Sequence, residues 1–99
     1  MLNPSKKVYL KMIEELIKNR LEFLNATSFL LKNESALHKG HEGNTGGGHF
    51  NIHIVSISFE GKSRMERHQI IYNSLKDLFP EKIHALSIKA VAPSENIKN

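Results

Sequence analysis

Three of the six histidines in this 99-residue chain lie in one glycine-rich stretch, NESALHKGHEGNTGGGHF, residues 33–50. They are His38, His41 and His49. An imidazole carries a proton near neutral pH, and its neutral form binds metal. Glycine-rich backbone orders only at an entropic cost, so a bound group is a physical reason for such a segment to take one pose. A structureless loop of about 16 residues is uncommon in a compact domain and is more often functional than idle. The chain has no cysteine. Disulfides, thiol catalysis and thiolate ligands are therefore absent from it. Any metal it holds must be bound by histidine, by carboxylate, or by groups that a partner lends.

The other three histidines have different settings. His84 begins a strand pattern and shares a face with Leu86 and Ile88, a rigid position of the kind that suits a ligand. His68 falls on the apolar side of a helix with Met65 and Leu75, which reads as a buried histidine bonded to backbone. His53 reads as a surface residue. A zinc site built from His38, His41 and His49 alone is a weaker reading, because the spacing is loose and nothing orients the rings. No carboxylate pair, activated nucleophile or phosphate cradle stands out, and Ser35 and Ser56 have no triad partners. Enzyme activity is not expected.

The elements that must position these residues follow from hydrophobic period. Asn3 as a cap and Pro4 at the first position open a helix with apolar residues at Tyr9/Leu10, Ile13, Leu16/Ile17, Leu21 and Leu24, and Asn25 stops it. SFLLKN (28–33) is a short strand. FNIHIVSISF (50–59) is a longer one, with Phe50, Ile52 and Ile54 on one face and Val55, Ile57 and Phe59 on the other. That pattern implies a central strand or a bulge near Ile54. After a turn at Gly61, Ser63 and Glu66 form a capping box. The helix they open carries Met65, His68, Ile71/Tyr72, Leu75 and Leu78/Phe79, and Pro80 ends it. IHALSIKAV (83–91) is the third strand, and a helical turn follows Pro93. The order α-β-β-α-β predicts an α+β fold: a three-stranded mixed sheet with helices on one face and a short C-terminal helical turn.

Length and composition allow one domain, 1–99, with a flexible loop at 34–49 and a polar tail at 93–99. With 39% hydrophobic and 24% charged residues, the chain reads as an ordinary soluble protein. No apolar run reaches membrane-span length. Glu14 and Glu15 in the first helix argue against a signal or transit peptide. An intracellular setting is expected, cytoplasmic or in an organelle matrix. Fourteen basic residues against ten acidic ones give a net charge of +4, which permits nucleic-acid contact without pointing to it.

The second half resembles the BolA family. Its features are Val55-Ser56, then Phe59-Glu60-Gly61-Lys62, the Arg67-His68 pair, and His84-Ala85-Leu86, with Asn33-Glu34-Ser35 and His38 before them. The resemblance covers about residues 28–95, and the ordered set is specific where single elements are not. It implies a fold related to the type II KH domain. It also implies pairing with a monothiol glutaredoxin, as a heterodimer that shares a [2Fe–2S] cluster, in iron–sulfur maturation or iron regulation. The glutaredoxin would supply a cysteine and a glutathione thiolate. His84 and a loop residue of this chain would complete the set. Without cysteine the chain fits the histidine-type branch, with His38 as the implied loop ligand and His49 and His41 as alternatives. The isolated chain is then expected to be a monomer without a stable cluster.

The alternative is a nucleic-acid-binding transcriptional regulator that uses the turn and helix at 61–79, with Lys62, Arg64, Arg67 and Lys76 as contacts. KH domains grip a nucleic-acid backbone with a GXXG loop between helices. The GXXG run Gly40-His41-Glu42-Gly43 lies in a different loop.

Overall fold

The apolar spacing of the first segment forms helix α1 (Pro4–Arg20), followed by a 3-10 turn at Glu22–Leu24. Leu10, Ile13, Ile17, Leu21 and Leu24 are buried, each 3% exposed or less. Asn25 ends the element in the left-handed conformation, with φ 47°. Strand β1 (Ser28–Asn33) returns along the sheet. Strand β2 (Gly48–Val55), helix α2 (Arg64–Leu75) and strand β3 (Ile83–Val91) complete the fold, with a closing 3-10 turn at Pro93–Glu95. The computed structural model describes residues 4–34 and 48–96. His38, His41, the GXXG run and all but the ends of the expected 34–49 loop lie outside the described residues.

The sheet order is β1-β2-β3. β1 and β2 are antiparallel, with Leu31 opposite Ile52 and Asn33 opposite Phe50. β2 and β3 are parallel, with Ile52 opposite Ile88. Phe50, Ile52 and Ile54 form one core with Ile13, Ile17, Ile71 and Leu75 of the helices. The helices therefore cover one face, and Asn51, His53, Ser87 and Lys89 sit on the other. The expected α+β architecture is the observed one. No helix among the described residues is long and apolar enough to cross a membrane.

Two boundaries differ from expectation, each for a local reason. β2 starts earlier, at Gly48, because the Gly48 N–H donates to the Lys82 carbonyl at 3.1 Å and the Glu34 N–H donates to the His49 carbonyl at 2.7 Å. Gly48 and His49 therefore belong to the sheet and not to the loop. β2 also ends earlier, at Val55. The buried Ser56 hydroxyl donates to the Leu24 carbonyl at 2.6 Å and accepts from the Ser58 N–H at 3.1 Å. This competition from a side chain turns the chain into a 3-10 turn, Ile57–Phe59. Phe59 then plugs the core at 0% exposure while Ile57 is 72% exposed. The apparent second apolar face of the strand was this turn.

The capping box forms as expected, with the Ser63 hydroxyl accepting from Glu66 N–H at 3.1 Å and the Glu66 carboxylate accepting from Ser63 N–H at 2.8 Å. The buried face of α2 is rotated from the expected one. Met65 and Tyr72 are 71% and 47% exposed, whereas Arg67, Ile71 and Leu75 are buried. His68 is half-buried, and its ring makes no hydrogen bond among the described residues.

Candidate metal-ligand pair and basic cleft

The start of the parallel β2–β3 pairing is irregular. Gly48 stands opposite Ile83, but His49 stands opposite Ala85. His84 is the extra residue, a bulge that turns its side chain away from the regular alternation. Ile83 beside it is fully buried, and His84 is exposed. The bulge brings the imidazoles of His49 and His84 together, with ring centroids 5.1 Å apart and planes inclined at 32°.

That separation can be tested against metal chemistry. Two imidazoles bound through nitrogen at about 2.1 Å to one tetrahedral metal have ring centres about 5 Å apart, and the observed pair matches at 5.1 Å. Two ligands are not a complete site. Among the described residues, no group of three histidine or carboxylate side chains is placed to hold a metal ion. Of the expected ligands, His84 and His49 are brought together, and His38 and His41 lie outside the described residues. The family resemblance implies His38 ahead of His49; the bulge that aligns His49 with His84 leaves no mark in residue type. His53, four residues along β2, is exposed on the open sheet face, as expected.

The expected nucleic-acid residues separate into two groups. Lys62, Arg64, Arg67 and His68 line a cleft of about 680 Å³ against Lys89 and neighbouring residues of β3. Lys89 is a member that the sequence reading missed; its alternation onto the polar face of β3 was the available signal. Lys76 lies at the other end of α2, about 18 Å away along a helix of 12 residues.

Arg67 is 8% exposed and bonded internally. Its Nε donates to the Lys62 carbonyl at 2.9 Å, and Nη1 donates to the Ala90 carbonyl at 3.1 Å. Nη1 and Nη2 also donate to the two oxygens of Glu95, at 2.7 and 2.8 Å. One guanidinium thus ties the approach to α2, the end of β3 and the closing turn together. The tail is therefore anchored at Glu95, which a reading of it as a merely polar extension missed.

The Arg67 guanidinium and the Ala92 N–H hold the Glu95 carboxyl down to about 2, from an ordinary value of 4.5. A carboxylate with a lowered folded-state pKa stabilises the fold above its unfolded-state value, and that stabilisation is lost as pH falls. The Arg67–Glu95 contribution is expected to fade between about pH 4.5 and about pH 2. Glu95→Gln should flatten the acid limb of a Tm-against-pH curve in that window. Arg67→Ala should lower Tm at pH 7 by about 5–10 °C, because buried carbonyl partners lose their donor. Arg67→Lys should not restore it, because an ammonium cannot reproduce the bidentate fork. An Arg67→Ala melting curve that overlays wild type would disprove the clamp.

Comparison with known proteins agrees with this fold. The family model described as BolA-like protein matches residues 11–95. The chain belongs to the BolA-like family. It is 47% identical over 57 residues to SufE-like protein 1, chloroplastic/mitochondrial, of Arabidopsis thaliana, covering 58% of this chain and 15% of that protein. It is 36% identical over 77 residues to Protein BOLA1, chloroplastic, of the same plant, covering 74% of this chain and 48% of that protein. The chain thus spans half or less of these two relatives. A bacterial relative of similar size, the DNA-binding transcriptional regulator BolA of Haemophilus influenzae, is 33% identical, covering 84% of this chain and 80% of that protein. Among solved structures, the BolA domain of Arabidopsis SufE1 superposes with a TM-score of 0.69 at 36% identity, covering 96% of this chain and 99% of that one. Arabidopsis BolA1 gives 0.73 at 32% identity, covering 84% and 94%.

Proposed function

We propose that this BolA-like chain supplies two imidazole ligands to a [2Fe–2S] cluster shared with a monothiol glutaredoxin, and acts in iron–sulfur trafficking or iron regulation. The observation that carries this reading is the His49–His84 pair at 5.1 Å. The chemistry is consistent. Histidine pairs on one iron, with thiolates on the other, are known in Rieske centres. A [2Fe–2S] cluster takes four ligands from its surroundings, and a chain without cysteine offers imidazoles only. The remaining thiolates come from the partner's cysteine and its bound glutathione. On this reading His84 is the fixed ligand, and the second is His38, which the family resemblance implies, or His49, which already stands beside His84.

The test is reconstitution. The isolated chain, given iron and sulfide, is expected to stay a colourless monomer. Mixed with a glutathione-loaded monothiol glutaredoxin, it should give a one-to-one coloured complex by native mass and visible circular dichroism. A stable cluster on the chain alone would refute the shared-ligand reading.

A second reading is supported by the basic cleft. Lys62, Arg64 and Lys89 are among the residues that line it, and one relative is named as a DNA-binding regulator. Binding of duplex DNA through these three cations should show a log–log salt slope of about −3. A slope near zero would remove this reading.

A further inference from the structure

A carboxylate stands in the wall of the basic cleft. Among the described residues that line it, Lys62, Arg64, Arg67 and Lys89 are cations and Glu95 alone is acidic. Glu95 is paired with Arg67, and the two partners are unequally fixed. The Arg67 side chain is 9% exposed and the Glu95 side chain 49%. Arg67 is also held by the Lys62 and Ala90 carbonyls. The guanidinium is thus part of the wall, and the carboxylate takes donors that the carbonyls leave.

Glu95 meets that guanidinium with both oxygens, 2.7 Å from Nη1 and 2.8 Å from Nη2. A guanidinium fork fits two oxygens of a phosphate in the same way. The carboxylate therefore stands where a phosphate group of a ligand in the cleft would bind. Lys62, Arg64 and Lys89 are exposed and lose side-chain freedom when they bind. Arg67 is already placed, so its contact adds affinity at less entropic cost.

Glu95 belongs to the closing turn, Pro93–Glu95, and that turn has a fastening of its own. The Ser94 N–H and hydroxyl donate to the Glu60 carboxylate at 3.0 and 2.9 Å. These bonds do not involve Glu95, so they hold the turn in place when its charge is removed.

We propose that the Arg67 guanidinium is a phosphodiester-binding site of the basic cleft, masked by Glu95 of the closing turn. This rests on the reading that the cleft binds nucleic acid. With the carboxylate in place, three cations face the phosphates; without it, four do.

The test titrates random-sequence duplex DNA with the full chain and follows fluorescence anisotropy over a range of salt concentrations at neutral pH. Wild type should give a log–log salt slope of about −3 and Glu95→Gln about −4, since each further phosphate contact adds about one. The affinity of Glu95→Gln at low salt should rise about tenfold. Glu95→Ala should behave in the same way. Glu15 is exposed on α1 near Lys82, before the start of β3, whereas the cleft lies against the later part of that strand. Glu15→Gln makes the same change in net charge and should keep the wild-type slope and affinity. In nitrogen NMR, the Arg67 Nε signal should move on adding DNA to Glu95→Gln and stay in place in wild type. A wild-type slope from both Glu95 variants, or an Arg67 signal that DNA leaves unmoved in Glu95→Gln, overturns the masked site and leaves the cleft reading standing. An equal gain from Glu15→Gln reduces the effect to net charge and overturns the masked site too. A slope near zero in wild type and variants alike overturns the nucleic-acid reading itself.

Discussion

His84→Ala is expected to abolish the coloured complex with glutathione-loaded monothiol glutaredoxin while leaving the fold intact. His84 is the bulged residue at the start of β3, held between the fully buried Ile83 and the regular ladder that resumes at Ala85. A ligand on a strand is placed before the metal arrives, and its ordering cost was met on folding. No other imidazole is carried by β3. A substitute would have to come from the glycine-rich run 39–48, whose composition makes ordering expensive. The His84 side chain is exposed, so its removal should leave Tm near the wild-type value. The visible circular dichroism of the reconstituted mixture should be lost, together with the mass of the heterodimer. Lys62→Glu and Arg64→Glu should leave both intact, since the basic cleft lies between α2 and the later part of β3. A wild-type cluster spectrum from His84→Ala would sink the ligand assignment.

The sequence motif and the structure divide the work differently from what the motif alone implies. Val55-Ser56 ends β2, because the Ser56 hydroxyl bonds the Leu24 carbonyl. Phe59 fills the core, and Gly61 turns the chain at φ 75°, a conformation that side-chain-bearing residues rarely adopt. Lys62 lends its carbonyl to Arg67, and Arg67 clamps the tail. Of the signature residues, His84 is the one left with an exposed reactive ring at the histidine pair. Much of the recognisable pattern is thus architecture that holds the start and end of β3 in place.

Hydrophobic period located the helices and β3 because their buried stripes repeat regularly. It failed at Ile57 and Phe59, where a tight turn mimics strand alternation. It failed again on α2, where a long cation occupies the buried face and Met65 the exposed one. Arg67 was misread as a surface contact because its partner, Glu95, is 28 residues away in sequence. The His49–His84 pairing was illegible for the same kind of reason. A one-residue bulge depends on how Gly48 and Lys82 bond across strands, and no local spacing records that. The basic cleft suffered similarly: Lys89 joins Lys62 and Arg64 only through the packing of α2 on β3.

Removing the neighbouring histidines one at a time should give a graded result, and removing all three should match the loss at His84. His38→Ala is expected to retain a coloured complex with altered circular dichroism, because the His49 ring already stands 5.1 Å from His84. Little further ordering is needed for it to serve, so the loss in cluster affinity should stay below about tenfold. His49→Ala removes the placed ring and leaves His38 and His41, which arrive from a glycine-rich segment. Ordering each additional backbone residue costs about 1–2 kcal/mol, and about 1.4 kcal/mol is a factor of ten in affinity. If His49 is the ligand, its loss should therefore weaken the cluster by about tenfold or more. If the family pattern holds at His38, that variant should show the larger loss and His49→Ala the smaller. The comparison of the two single variants thus identifies the second ligand. The variant lacking His38, His41 and His49 should hold no cluster, since His84 then contributes the chain's only imidazole at that end of the sheet. A wild-type spectrum from that triple variant would show that His84 works with a ligand outside the histidine set, and the two-imidazole reading would fall.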